Sequence, residues 1–546
     1  MGNNTAHMGK NTVHIKNDTI HMDDSRVRTE IAKADTDNYE KLRISRIMIA
    51  APSSGSGKTL ITCGLLNLLK KKGLKPASFK CGPDFIDPMF HTKVLGTRSR
   101  NLDTFFTDPD TTRGLLARNA KDADLAVLEG VMGYFDGMGI DSSRAGASDL
   151  ASVTDTPVLL IVPAKGVSRS VLPLIRGFLD FQEKRCIRGV ILNRVSAGLY
   201  PRMKEMIERE VGIPVVGYVP VVKDCALESR HLGLLMPDEI ASFQDRLDRL
   251  ADVLDETLDL SQILEIAGSA PALTVQKSNP EKYSTPDCGA ATYSGANCDA
   301  AKFSTADGNI ANCSTVNCST GECGAAEQSG KECGSGKVRI GLAKDEAFCF
   351  FYADNLDLLR EMGAELVPFS PIHDACLPDN LDGLMLHGGY PELYGKELGE
   401  NASMRESVRR AVTGGLPTLA ECGGFLYLHR QLTDLEGNVW PMAGVFPESA
   451  YYTGRLTRFG YVTLTGGTMF GRNVGEIRSH EFHYYESEDP GSTFLARKPV
   501  GNRSWRCVRS TDTLYAGFPH LYFYANPGTA EAFIERCAEY HANRNL

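Results

Sequence analysis

Ile47-Met48-Ile49-Ala50-Ala51-Pro52-Ser53-Ser54-Gly55-Ser56-Gly57-Lys58-Thr59 reads as an apolar strand, a Ser/Gly loop and the opening of a helix. In such a loop consecutive backbone N–H groups converge at a helix N-terminus, and that point holds phosphate. The residues expected to wrap it are Ser54, Gly55, Ser56, Gly57, Lys58 and Thr59. Lys58 should bridge the β- and γ-phosphates of ATP, and the Thr59 hydroxyl should bind Mg2+. The strict motif spacing asks for glycine at 52, where this chain has Pro52. The flanking strand and helix restore the reading, because a chance Gly/Lys loop need not lie between them.

Outward from this loop the pattern is βα. Apolar runs at 46–51, 76–80, 124–129, 157–163, 188–193 and 215–219 read as strands, and 59–72 and 201–211 read as helices. Short buried strands alternating with helices predict a parallel sheet covered on both faces. The pattern resumes with strands at 338–342, 365–368, 383–387 and 417–420. The aromatic and Gly-rich remainder, 440–546, is expected to complete this second sheet. Between the halves, 266–336 is rich in Ser, Ala, Gly, Asn, Thr and Cys, a composition that buries no core. The expected organisation is a disordered tail at 1–43, an α/β nucleotide-binding domain at 44–265, a low-complexity linker at 266–336 and a second α/β domain at 337–546.

The bulk properties narrow the function classes. A net charge of −9 leaves no basic excess for neutralising nucleic-acid phosphates. No apolar stretch approaches the roughly 20 residues of a membrane helix. The polar N-terminus lacks a secretory h-region, so a cytoplasmic location is expected. Of 15 cysteines, six lie in the linker (Cys288, Cys298, Cys313, Cys318, Cys323 and Cys333) without the paired spacing of a zinc site. The others are scattered singly, as reduced thiols are. His7, His14 and His21 mark a weak repeat in the tail, read as an extension rather than a metal tract.

Two acidic loops follow predicted strands: Cys81-Gly82-Pro83-Asp84-Phe85-Ile86-Asp87-Pro88, and Glu129-Gly130-Val131-Met132-Gly133-Tyr134-Phe135-Asp136-Gly137. Strand ends are where α/β proteins bind ligands. Asp84, Asp87, Glu129 and Asp136 are therefore candidates to bind Mg2+ or orient substrate, with Asp84 and Glu129 foremost as metal ligands alongside Thr59. Asn193, closing the run Val190-Ile191-Leu192, is a candidate to read adenine through its amide.

A second constellation is Ala420-Glu421-Cys422-Gly423-Gly424-Phe425. A strand, a sharp turn at cysteine and a helix expose a nucleophile and aim backbone N–H groups at it. The helix N-terminus is expected to lower the Cys422 thiol pKa. Gly423 and, from the loop His387-Gly388-Gly389-Tyr390-Pro391-Glu392, Gly389 are the expected oxyanion donors. The base that serves Cys422 is sought among His520, His480 and His483.

These blocks together resemble the cobyrinate a,c-diamide synthase family, over about 44–265 and 337–546. The resemblance implies a synthetase domain similar to dethiobiotin synthetase joined to a class I glutamine amidotransferase domain. It makes Cys422 the nucleophile and His520 its base. In the family's Gly-Gly-Gly-Tyr-Pro-Glu-type loop, the usual first glycine is His387 in this chain. No triad carboxylate follows His520, where Leu521-Tyr522 stands, and the family leads one to expect none. The implied partners are a cobyrinate-type tetrapyrrole, ATP and L-glutamine, and a homodimer is among the assemblies it permits. The implied chemistry is an acyl phosphate made with ATP and then attacked by ammonia released at Cys422, along an enclosed path that excludes water. Rival readings are a sibling amidoligase acting on hydrogenobyrinate, nickel-sirohydrochlorin or cobyric acid precursors, a ParA-like positioning ATPase, and a metallochaperone using the His tail and Cys linker. The ParA-like proteins carry an extra lysine early in the loop, and Ser53-Ser54 shows none.

Overall fold

The computed structural model describes residues 38–181, 184–222, 237–277 and 337–544. The chain divides into two compact units, Met1–Asn279 and Pro280–Leu546. The histidine repeat and the linker cysteines lie outside the described residues.

In the first unit the strands are β1 (Tyr39–Leu42), β2 (Arg46–Ala50), β3 (Pro76–Cys81), β4 (Ser99–Leu102), β5 (Leu125–Glu129), β6 (Val158–Pro163), β7 (Ile187–Asn193), β8 (Val215–Val219) and β9 (Leu273–Gln276). Seven of them form one sheet in the order β4-β3-β5-β2-β6-β7-β8. Every neighbouring pair in it is parallel. β2 and β5 are buried at every position, which is why they read as continuous apolar runs rather than alternating ones. The helix Lys58–Lys71 packs against the helix Pro237–Thr257 at Gly64, where a Cβ would lie 2.6 Å from Leu254 Cδ1. A side chain there would push the two helices apart.

Three expectations need correction. Ser99–Leu102 is a strand that the sequence hid, because Ser-Arg-Asn-Leu lacks an apolar run. The first unit also extends beyond 44–265 at both ends. The helix Leu260–Gly268 runs into the expected linker, and β1 from the expected tail pairs antiparallel with β9, Tyr39 opposite Gln276 and Leu42 opposite Leu273. Arg46, fully buried, ties this margin down. It donates to the carbonyls of Thr154 (3.0 Å), Ile44 (2.9 Å), Asp155 (3.3 Å) and Pro271 (2.8 Å).

In the second unit, β10 (Arg339–Ala343), β11 (Glu365–Phe369), β12 (Gly383–Leu386) and β13 (Thr418–Glu421) lie in the order β11-β10-β12-β13 and continue through the strands Leu514–Gly517 and Arg509–Ser510. The last third does more than complete this sheet, which is the third correction. A four-stranded sheet and a five-stranded sheet stand beside it. The five-stranded one carries Ile477–His483 and His520–Leu521, paired antiparallel with His480 opposite His520.

Candidate active sites

Because the first sheet is parallel, the loops after β2, β3 and β5 emerge at one edge, and the phosphate loop meets both acidic loops there. The phosphate loop turns on Gly55 (φ +74°) and Gly57 (φ +95°), backbone values costly for any residue with a Cβ. Asn193, at the end of β7, donates Nδ2–H to the Ser56 carbonyl at 2.8 Å. Its amide therefore braces the phosphate loop. Lys58 Nζ donates to the carbonyls of Ser53 (3.1 Å) and Met132. Gly133 lets the Glu129 loop approach, since a Cβ there would lie 2.5 Å from the Pro52 carbonyl oxygen. Asp136 Oδ2 accepts from Gly133 N–H at 2.9 Å, which fixes that loop beside Lys58.

The carboxylates converge on a residue the sequence reading passed over. Lys80, buried near the end of β3, bonds to Glu129 Oε1 at 2.8 Å, pairs with Asp87, and lies 3.9 Å from Asp84 Oδ2. Its signal was a lysine inside the buried run before the Gly-Pro turn. Burial raises Asp87, but the Lys80 ammonium outweighs it and holds that carboxyl below its usual range. Burial pushes Asp84 up to about 6 and Glu129 up to about 7 against the pull of Lys80. His91 sits beneath, its Nδ1 2.8 Å from Ser78 Oγ and its Nε2 3.3 Å from Cys63 Sγ. Burial lowers it to about 4, so it adds no charge near neutral pH. Asn101, on the unexpected strand, donates to the carbonyls of Gly82 (2.9 Å) and Asp84 (2.6 Å) and sets the shape of the Asp84 loop.

Thr59 Oγ1 donates to Glu129 Oε1 at 2.6 Å, and Glu129 Oε2 is buried without a hydrogen-bond partner. An oxygen donor set with a spare buried carboxylate oxygen suits a hard cation. Mg2+ on a triphosphate needs only one or two protein ligands.

In the second unit Cys422 turns the chain from β13 into the helix Gly423–Tyr427 at φ +46° and ψ −101°, a strained value for a non-glycine residue. Gly424 makes the turn feasible, since a Cβ there would lie 2.0 Å from the Leu386 carbonyl oxygen. Cys422 N–H donates to the Gly517 carbonyl at 2.8 Å, three residues before His520. A Cβ on Gly423 would lie 3.0 Å from Gly389 N, so both expected oxyanion residues share one spot. Gly388 touches that spot and His520 together. A Cβ on Gly423 would lie 3.4 Å from the Gly388 carbonyl carbon, and one on Gly388 would lie 2.5 Å from His520 Cε1. Of the competing histidines, His480 stacks on His520 (centroids 5.4 Å apart), while His483 stacks on Phe518 at 3.9 Å and has Nδ1 on the Tyr485 carbonyl at 2.6 Å.

The expected low thiol pKa is not what this geometry produces. Burial, reinforced by the Glu392 carboxylate, pushes the Cys422 thiol up, and the Gly423 N–H pulls it back only in part. A five-residue helix gives little field to oppose that. The nucleophile therefore needs a base to take its proton.

The chain's two halves match known domains in the same order. Residues 47–234 match the CobQ/CobB/MinD/ParA nucleotide binding domain, and 339–527 match the CobB/CobQ-like glutamine amidotransferase domain. The cobyrinate a,c-diamide synthase of Listeria monocytogenes is 36% identical over 491 residues, covering 88% of this chain and 97% of that protein. This chain belongs to the cobyrinate a,c-diamide synthase family. The Salmonella typhimurium member is 34% identical, over 88% of this chain and 95% of its own, and the Caldanaerobacter subterraneus member 33%, over 90% and 98%. As a family member the chain is a ligase that couples a nucleotide-binding domain to a glutamine amidotransferase domain. Among the described residues no helix is long and apolar enough to cross a membrane.

Proposed function

We propose that the chain amidates the a and c carboxylates of cobyrinate at the expense of ATP, with glutamine, or ammonia directly, as nitrogen donor. The observation that carries this reading is the meeting of the phosphate loop with Lys80, Asp84, Asp87 and Glu129 at one sheet edge, in a chain whose other unit has a cysteine elbow beside His520. A carboxylate is a poor electrophile, so it must be activated before ammonia attacks. A substrate carboxylate would attack the γ-phosphate of ATP and give an acyl phosphate and ADP. Lys58 and the loop N–H groups stabilise the charge that develops on the transferred phosphoryl group. Thr59 and Glu129 would hold Mg2+, whose charge offsets that of the phosphates, with Asp84 within the same loop cluster. In the second unit the Cys422 thiolate would attack the glutamine side-chain amide, and N–H groups near Gly389 and Gly423 would hold the oxyanion. Ammonia leaves, water clears the thioester, and ammonia converts the acyl phosphate to the amide with release of phosphate. The family membership supports a cytoplasmic setting.

The test is product analysis by mass spectrometry with ATP and glutamine, using cobyrinate, hydrogenobyrinate and nickel-sirohydrochlorin in parallel. The expected result is a mono- and then a diamide of cobyrinate, with matching ADP. Amidation of only one of the other macrocycles would replace the substrate. ADP release indifferent to all three would overturn the ligase reading.

A further inference from the structure

Glu421 stands immediately before the nucleophile and has no role in the mechanism so far. It ends β13 and is 5% exposed. Its Oε1 accepts from Leu521 N–H at 3.2 Å, and its Oε2 lies 3.7 Å from His520 Nδ1. The backbone puts it there. Glu421 pairs with Gly517 across parallel strands, Cys422 is bonded to the Gly517 carbonyl, and the chain from Gly517 arrives at His520 three residues on. One turn of chain thus supplies the nucleophile, while the carboxylate just before it faces the histidine.

We propose that Glu421 is the positioning residue of His520, holding the imidazole through Nδ1–H so that Nε2 takes the Cys422 proton. This rests on the amidotransferase reading of the second unit. The acid that this histidine lacks on its C-terminal side is supplied from beside the nucleophile. At 3.7 Å the contact is an ion-pair distance rather than a formed hydrogen bond, and such contacts tighten when the imidazole becomes charged. The sequence of transfers is balanced. As Sγ bonds to the glutamine amide carbon, the thiol proton passes to Nε2. As the carbon–nitrogen bond breaks, that proton leaves with ammonia. Between these events His520 is a cation, and Glu421 faces it. Two imidazoles also face His520, His480 from the strand Ile477–His483 and His387 beyond the end of β12, while the carboxylates of Glu392 and Glu481 act on the neighbouring thiol. Burial and His520 itself hold both imidazoles well below the usual histidine range, so neither can supply the negative charge.

Glu421→Gln in the full chain separates positioning from simple support, because the amide oxygen can still accept from Leu521 N–H but carries no charge. The expected result is a fall in kcat for glutamine hydrolysis of about 10²-fold or more with KM little changed. The acid limb of kcat/KM should move down by about one pH unit, since loss of the carboxylate makes the imidazole a weaker base. Ammonium-driven amidation and the melting temperature should stay at wild-type values, and Glu421→Asp should recover part of the rate. Wild-type kcat and an unmoved acid limb in Glu421→Gln would overturn the proposal and leave Glu421 as a peg for Leu521. Equal loss of glutamine- and ammonium-driven turnover with a lowered melting temperature would overturn it as well. A wild-type chain that hydrolyses no glutamine would instead sink the amidotransferase reading itself.

Discussion

The two sites handle charge in opposite ways. At the phosphate loop, three carboxyl groups and a buried lysine are set against one another, with Lys80 paired to Asp87 and Glu129 and near Asp84. At the cysteine elbow three groups are held neutral beside the carboxylates: the thiol is pushed up, and His480 and His387 are pushed down. The contrast fits the chemistry proposed for each. Phosphoryl transfer handles a highly charged substrate and needs counter-charge in place beforehand. Amide cleavage begins and ends with neutral partners, so its ions need exist only briefly between them.

The largest expected effects would separate the sites outright. Cys422→Ala should cost at least about 10⁴-fold in glutamine-driven amidation while sparing ammonium-driven turnover. Lys58→Ala should abolish amidation from either nitrogen source and leave some glutamine hydrolysis. Loss of both activities in well-folded Cys422→Ala would break the division of labour. Next in size is Lys80→Met, which leaves Glu129 and Asp87 without their shared cation. Ammonium-driven amidation should fall by about 10²–10³-fold with glutamine hydrolysis unchanged. A matching loss of glutamine hydrolysis would show that the lysine serves the fold of the chain rather than the phosphate site.

Stability tests sharpen the same contrast. Arg46→Met leaves four backbone carbonyls without their donor and should destabilise by about 2–4 kcal/mol. Calorimetry should show the loss in one transition only, with glutamine hydrolysis retained at moderate temperature. Glu129 gives a pH test. Its carboxyl is held up to about 7 in the folded chain against an ordinary 4.5. The folded state then binds more protons than the unfolded one between those values, so stability falls as pH rises from 4.5 towards 7. The contribution is on the order of 1–3 kcal/mol. Glu129→Gln should flatten that slope in melting temperature against pH, and an unchanged slope would remove Glu129 as its source. The thiol site adds slopes of both signs there: Glu392, pushed by burial up to about 7, acts as Glu129 does, while His387, lowered by burial to about 3, acts in the opposite sense.

How far each site could be read in advance follows from the range of its interactions. The phosphate loop and the elbow are local devices in which glycines, a lysine and a cysteine stand at fixed offsets along one turn of chain, so the residues announce them. The βα runs were legible because strands buried on both faces are apolar throughout. Long-range pairings left no such mark. Nothing near Lys80 in sequence reveals that Glu129 lies across the neighbouring strand, and β1 with β9 joins segments more than 200 residues apart. Glu421 was visible only as a polar residue at the end of an apolar strand, and its partner lies 99 residues on. The direction of the Cys422 shift was misjudged for a related reason, because the helix terminus was in the sequence while Glu392 and the burial came from the fold.

His387 carries the smallest expected effect and probes the neutral site most finely. Both of its ring nitrogens are buried without a hydrogen-bond partner, and burial with His520 lowers it to about 3, so it is an uncharged and unsatisfied polar group. Such groups cost about 1–3 kcal/mol, whereas an apolar side chain of similar size costs little. Phe351, 5.5 Å away between ring centroids, offers an apolar neighbour. His387→Leu should therefore leave stability unchanged or raise it by up to about 1 kcal/mol, with glutamine hydrolysis near the wild-type rate. If thermal denaturation shows that gain while glutamine hydrolysis collapses, the imidazole is a working part of the elbow site, and its polar atoms are kept for the substrate at the expense of the fold. If both hold, the elbow needs only its own cysteine, His520 and the carboxylate beside them, and position 387 accepts an apolar side chain without consequence for the chemistry.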